Sequence, residues 1–232
     1  MTDQVLPNIA QMDVSRRKLH FIFAIDTSGS MSGDRIASLN YAVRAAIPAM
    51  KEAAADNPEV DVMVRVLRFS DTVDWPVPDA IPINDFVWND MVAGGETNMG
   101  AAFTALAEAM SAAGMPGRQL PPVVVLMSDG LPTDESENGL AAFLASEYGA
   151  KAVRIAIAIG SDADLGLLQE FIASPTVKPL QANSAAALVN RIKWAASVPM
   201  KSVSSPVGSA DPIAQIAQGV AQENAAAGDL VW

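Results

Sequence analysis

Two rhythms of apolar and polar positions alternate along this chain. Residues 20–25, 60–69, 122–127 and 153–159 form short runs that are continuously or alternately apolar, the second and fourth of them β-branched, and they read as strands. Between them lie Ala-rich amphipathic stretches at 35–55, 99–113, 135–148, 164–173 and 184–196, which read as helices. In the first, Ile36, Leu39, Val43, Ile47 and Met50 recur at three- and four-residue steps. Pro48 is expected to kink that helix or to mark its last turns. Other breakers, among them Pro58, Gly114, Pro116, Gly149, Gly160 and Pro175, fall where elements should end.

Strands alternating with helices predict an α/β fold: an open, mostly parallel central sheet of Rossmann-like type, with helices on both faces. Residues 69–77 read as strand, turn, strand and predict one antiparallel edge strand, and 177–180 a last short strand. The organisation expected is an N-terminal extension over 1–18, one domain over 19–198, and a low-complexity linker and tail over 199–232. Within the tail, 200–210 is Ser, Val, Pro and Gly and reads as linker. Residues 211–228 read as weak helix or disorder, and the final Asp229-Leu230-Val231-Trp232 as a frayed end or a docking peptide.

Composition narrows the function classes. The formal net charge is −11, and Arg16-Arg17-Lys18 is the longest basic cluster, so no footprint for nucleic acid or an anionic membrane is present. No apolar run approaches the roughly 18–20 residues that span a bilayer. The chain has no cysteine, which excludes disulfides and thiolate metal sites. With no leader-like pattern over 1–17, a cytoplasmic location is expected.

In sheets of this kind the loops leaving the carboxyl ends of the strands form the binding crevice. The first strand ends in Asp26-Thr27-Ser28-Gly29-Ser30-Met31, an acid and two hydroxyls at alternate positions. The third ends in Ser128-Asp129-Gly130, and between them Gly94-Gly95-Glu96-Thr97-Asn98-Met99-Gly100 leads into a helix. Three separate loops each deliver oxygen, and an oxygen-only set suits a hard cation such as Mg²⁺, with Mn²⁺ or Ca²⁺ as alternatives.

These motifs, in this order, resemble the metal-ion-dependent adhesion site of the von Willebrand factor A domain, over about residues 19–196. Within that family the stretches Asp26 to Met31, Ser32-Gly33-Asp34-Arg35-Ile36 and Ile192-Lys193-Trp194-Ala195-Ala196-Ser197-Val198 are most similar to the bacterial TerY-type tellurium-resistance proteins. The resemblance implies that Ser28, Ser30 and Thr97 are hydroxyl ligands and that Asp26 and Asp129 bind the ion directly or through water. It implies a protein partner that supplies an acidic residue to the metal, in a tellurite or chemical-stress response that includes a kinase and a phosphatase. A second expectation is a subunit recruited to an ATPase or chelatase assembly, as in other relatives of this domain.

Competing readings of the same residues are bland or catalytic. Asp26, Ser28 or Ser30 could cap the following helix, Glu96 could be a solvated loop residue, and Asp34 suits the first turn of a helix. His20, the sole histidine, starts the strand that Asp26 ends and is expected to be structural or solvated. No Gly-x-Ser-x-Gly elbow and no Gly-x-x-x-x-Gly-Lys loop occurs. An Mg²⁺-dependent aspartyl phosphotransferase would want a second acid where Ser28 stands and a cation for phosphate, for which Arg35 alone is near. A noncatalytic, metal-dependent protein-binding module is the function that the site residues and the resemblance together imply.

Overall fold

The computed structural model describes residues 16–204, 217–222 and 225. Its centre is a six-stranded sheet in the order β3-β2-β1-β4-β5-β6, formed by β1 (Arg17–Asp26), β2 (Val60–Phe69), β3 (Val73–Pro82), β4 (Val123–Ser128), β5 (Val153–Ile159) and β6 (Leu180–Ala182). Every neighbouring pair is parallel except β2 with β3. The helices are α1 (Asp34–Ala55), α2 (Met99–Ala109), α3 (Ser136–Ala145), α4 (Leu165–Ile172) and α5 (Ala185–Ser204).

Central strands of a parallel sheet lie between two helical layers, so both their faces must be apolar. Leu19 through Ile25 answers this except at His20, and all six residues of β4 are buried. One helical layer is α1 packed on α5. The other joins α2, α3 and α4 through Phe171, whose ring stacks on Phe103 at 5.8 Å and on Phe143 at 5.7 Å. Ile25 and Leu126 lie fully buried in the adjacent strands β1 and β4.

Several boundaries differ from those the sequence suggests. The antiparallel edge strand runs through Pro82 rather than stopping at 77, although Pro76, Pro78 and Pro82 lie in it. Among the described residues its outer side has no partner strand, so a missing N–H there breaks no ladder, and an edge is where proline is tolerated. Likewise α1 continues through Pro48 to Ala55. Pro48 and Arg44, whose carbonyl loses its helical N–H partner, are both on the exposed side, where that loss buries no polar group. β1 starts at Arg17, inside the segment expected as an extension, because Arg17 and Lys18 pair with Val60 and Asp61. β6 lies at Leu180–Ala182, a little later than 177–180.

At the other end α5 passes residue 198 and reaches Ser204, so 200–204 is helix where linker was expected. Residues 217–222 are also helical. There Val220 is buried, and Gly219 lies so close to the Trp194 indole that a Cβ would sit 2.7 Å from it. The expectations for residues 1–15, for 205–216 and for the terminal 229–232 lie outside the described residues. Among the described residues no helix is long and apolar enough to cross a membrane.

Candidate metal centre

The register of the central strands starts the site. One step beyond the Ile25–Met127 pair, Asp26 ends β1 beside Ser128, the last residue of β4. The Asp26 carboxylate folds the next turn onto itself, since its Oδ1 accepts the Ser28 N–H at 2.8 Å. A single 3₁₀ turn over Gly29–Met31 follows, pinned by the fully buried Met31. This turn brings the Ser28 and Ser30 hydroxyls within 3.0 Å of each other.

Hydrogen bonds then lace three loops together. The first loop meets the second where Gly94 N–H donates to Thr27 O at 2.8 Å and Gly29 N–H to Gly95 O at 2.8 Å. The approach requires glycine at 95, which has φ +85°, and where a Cβ would collide with the Asp71 carboxylate. Thr97 is held by the third loop: its N–H donates to Thr133 Oγ1 at 3.0 Å and its carbonyl accepts the Thr133 N–H at 2.9 Å. The third loop returns to the first through Ser128, whose Oγ donates to Asp26 Oδ2 at 2.6 Å and accepts the Gly130 N–H at 2.8 Å. Gly130 in turn has φ +93° and lies against the Asp164 carbonyl, with no room for a side chain.

The structure therefore gathers the three loops at one edge. Asp26, Ser28, Thr97 and Asp129 are buried in the crevice and Ser30 stands exposed at its mouth. Neither the 3₁₀ turn nor α1 is capped by these side chains. The residue preceding α1 is Gly33, and neither Gly33 nor Ser28 makes a side-chain cap. No hydrogen bond among the described residues occupies the Thr97 hydroxyl. Glu96 is exposed and Asp34 sits in the first turn of α1, as expected.

Electrostatics at the crevice turn on two acids. Burial pushes the Asp26 carboxyl above its ordinary value, hydrogen bonds from Ser128 and Ser28 pull it back, and nearby Asp129 pushes it up again. Asp129 has a partner in Arg35, whose Nη1 lies 3.0 Å from its Oδ2. The other arm of that guanidinium, Nη2, lies 2.5 Å from Asp162 Oδ1. Arg35 is held still more firmly protonated by its hydrogen bond to Asp162 first and by Asp129 after it, against some desolvation.

The donor set fits a hard divalent ion. It contains two carboxylates and three hydroxyls and no nitrogen or sulfur, and among the described residues no cluster of three or more His, Cys, Asp or Glu competes with it. Mg²⁺ binds oxygen at about 2.0–2.1 Å in an octahedron, so neighbouring ligands lie about 2.9–3.0 Å apart. The 3.0 Å between Ser28 Oγ and Ser30 Oγ matches such an edge.

Sequence reasoning missed the supporting residues. Ser128 was visible only as part of Ser-Asp-Gly, yet it is the direct hydrogen-bond partner of Asp26. Asp71 accepts the Glu96 N–H at 2.7 Å, and Asp134 accepts the Gly100 and Ala101 N–H groups at the start of α2, at 2.9 and 3.0 Å. Asp162 gives no signal in the sequence at all, because its partner Arg35 lies 127 positions away.

Several solved structures share the fold at low identity. Proximal thread matrix protein 1 from the mussel byssus matches with a TM-score of 0.58 at 20% identity, over 78% of this chain and 48% of that one. A form of the same mussel protein has a zinc-occupied MIDAS motif. A von Willebrand factor type A structure from Catenulispora acidiphila gives 0.61 at 14% identity over 79% and 43%. The PilB minor pilin from Streptococcus sanguinis gives 0.60 at 15% over 83% and 64%. This chain thus spans less than two thirds of the length of each. No curated protein matches it. The sequence profile of the von Willebrand factor type A domain matches residues 21–191, most of the chain and the whole of the site, and the protein belongs to that family.

Proposed function

We propose that Asp26, Ser28, Ser30, Thr97 and Asp129 hold a divalent ion, Mg²⁺ in the first place and Mn²⁺ or Ca²⁺ otherwise, and that the loaded site binds a protein partner through an acidic residue. The observation that carries this reading is the convergence of an oxygen-only set from three loops, four of its members buried and one open to solvent. When bound, the ion supplies a positive centre with a coordination position left over for an incoming carboxylate. Asp26 supplies charge, oriented by Ser28 N–H and Ser128 Oγ. Ser28 and Ser30 supply neutral oxygens, and Thr97 supplies a third from a loop locked by Thr133. Two acids only just balance a divalent charge, so a third carboxylate is attracted rather than repelled at close range.

The crevice also has apolar company suited to a protein rather than a free anion. Val92 (82% exposed) precedes the second loop, Leu131 (61%) follows Gly130, and Leu165 (37%) follows Asp164, whose N–H donates to Asp129 O at 2.8 Å. Large apolar side chains left in water beside a polar crevice are the composition of a recognition surface. A noncatalytic role agrees with Arg35, the cation a phosphotransferase would need, being engaged by two carboxylates.

The finer assignment rests on the TerY-like stretches. By them we place the protein in a tellurite or chemical-stress response, with a kinase and a phosphatase as candidate partners, and the pattern of residues 1–17 with the lack of cysteine supports a cytoplasmic location. Recruitment to an ATPase or chelatase assembly is the alternative, and the identity of the captured partner decides between them. The test is calorimetric titration of the protein with Mg²⁺ and Mn²⁺, followed by capture of partners in Mg²⁺ against EDTA. Asp26→Ala is expected to abolish ion binding and EDTA to abolish capture. Unchanged affinity in Asp26→Ala would refute the site.

A further inference from the structure

Arg35 stands at the start of α1 and reaches across the crevice with a forked contact. Nη1 takes Asp129 Oδ2 at 3.0 Å and approaches Ser30 O at 3.4 Å, while Nη2 takes Asp162 Oδ1 at 2.5 Å. The two acids differ in setting: the Asp129 side chain is 9% exposed and that of Asp162 is 69% exposed. The guanidinium has a built seat between them. Gly160 lies beneath it with φ +95°, and a Cβ there would come within 2.9 Å of Arg35 Nη2 and 2.8 Å of Asp162 Oδ1. Next to this seat is a cavity of about 290 Å³ lined by Ser32, Asp34, Arg35, Gly160 and Ser161.

An arrangement in which a fixed cation covers one of only two acids has a direct consequence for a second cation. Asp129 Oδ2 cannot neutralise both Arg35 and an entering ion to the full extent, and two cations a few ångströms apart repel. Resting on the metal-site reading above, we propose that Arg35 is a tethered counter-cation that competes with the ion for Asp129, with Asp162 as the second seat that draws the guanidinium away. Asp162 and Asp129 then oppose each other through one side chain. A stronger hold by Asp162 favours ion loading, and a stronger hold by Asp129 favours the ion-free state. Arg35 already reaches Asp162 through Nη2, and the adjoining cavity leaves open space beside its side chain. In the ion-free protein the same contact shields a buried carboxylate that would otherwise repel Asp26.

The experiment is Mn²⁺ titration of the full chain by calorimetry at low ionic strength, with thermal melting in EDTA as a second readout. Arg35→Gln is expected to bind Mn²⁺ about tenfold more tightly than the unaltered protein, while melting at a lower temperature in EDTA. Arg35→Lys keeps the charge without the planar fork and is expected to stay within about threefold of the unaltered affinity. Asp162→Asn leaves Arg35 wholly to Asp129 and is expected to weaken Mn²⁺ binding by roughly threefold. Tighter binding that appears equally in the Gln and Lys variants overturns the proposal, because shape rather than charge would then matter. Affinity in Arg35→Gln equal to or below the unaltered value also overturns it and leaves the metal site standing. Absence of Mn²⁺ binding by the unaltered protein overturns both. If Arg35→Gln does not fold, Asp162→Asn decides: weaker binding supports the competition and unchanged binding refutes it.

Discussion

The two ends of β1 bury polar side chains under opposite terms. At the carboxyl end Asp26 is inaccessible to solvent but receives two hydrogen bonds, from Ser28 N–H and Ser128 Oγ. Toward the amino end His20 is 4% exposed, and neither ring nitrogen has a hydrogen-bond partner among the described residues. Burial first, and then Arg65 and Lys18, lower its pKa to about 4, so it stays neutral. The difference lies in what surrounds each residue. Past the end of a strand, loops are free to turn N–H and O–H groups inward. Along a strand the backbone groups are committed to the ladder, and a side chain among them is left to give up its charge. This is why the polar group at one end of the same strand is satisfied and the one toward the other end carries a cost.

Both ends depend on the central pair of strands, so truncating that core should have the largest effect. Ile25→Ala or Leu126→Ala is expected to lose about 2–5 kcal/mol of stability in chemical denaturation, because each is wholly buried and leaves a cavity. A loss below 1 kcal/mol would mean the strands are not held as described.

His20 sharpens the comparison through pH. Its folded pKa of about 4 lies below the ordinary 6.5, so between those values the unfolded chain binds a proton that the folded chain refuses. Stability should therefore fall as pH drops from about 6.5 to 4, by about 3 kcal/mol over the full window. Above 6.5 the group should contribute no slope. His20→Gln should remove this part of the slope, read as the difference between two denaturation series. Parallel series would show that His20 is not buried unpaired.

A smaller effect is expected at Ser128, which separates support from ligation. Ser128→Ala removes one donor from Asp26 and one acceptor from Gly130 N–H, and should cost about 1–3 kcal/mol. It should weaken ion binding without abolishing it, unlike Asp26→Ala. Loss of binding in Ser128→Ala equal to that in Asp26→Ala would mean the serine is itself a ligand.

Much of this architecture is legible in the sequence. β2 and β5 coincide to the residue with β-branched runs, because alternate burial in β2 and nearly continuous burial in β5 each leave a plain apolar pattern. The motifs around Asp26, Thr97 and Asp129 pointed to one edge, since strand order and loop position already place them there. What escaped was decided over long range or by exposure. β3 is longer than expected because proline is judged by its own bonding and not by the empty side of an edge. α5 runs past residue 198, through Pro199 and a Ser-containing stretch whose local composition reads as linker. The Arg35 fork joins residues 94 and 127 positions apart, and no pattern within a window of the sequence encodes such a contact.

The central claim is that the oxygens at this edge surround a divalent ion. The most direct measurement is an anomalous difference map from crystals of the protein grown or soaked with Mn²⁺. We predict one strong peak at ligand distance from Ser28 Oγ, Ser30 Oγ and Thr97 Oγ1, with Asp26 and Asp129 bound directly or through water. A peak elsewhere, or none in crystals of a protein that binds Mn²⁺ in solution, would contradict the assignment.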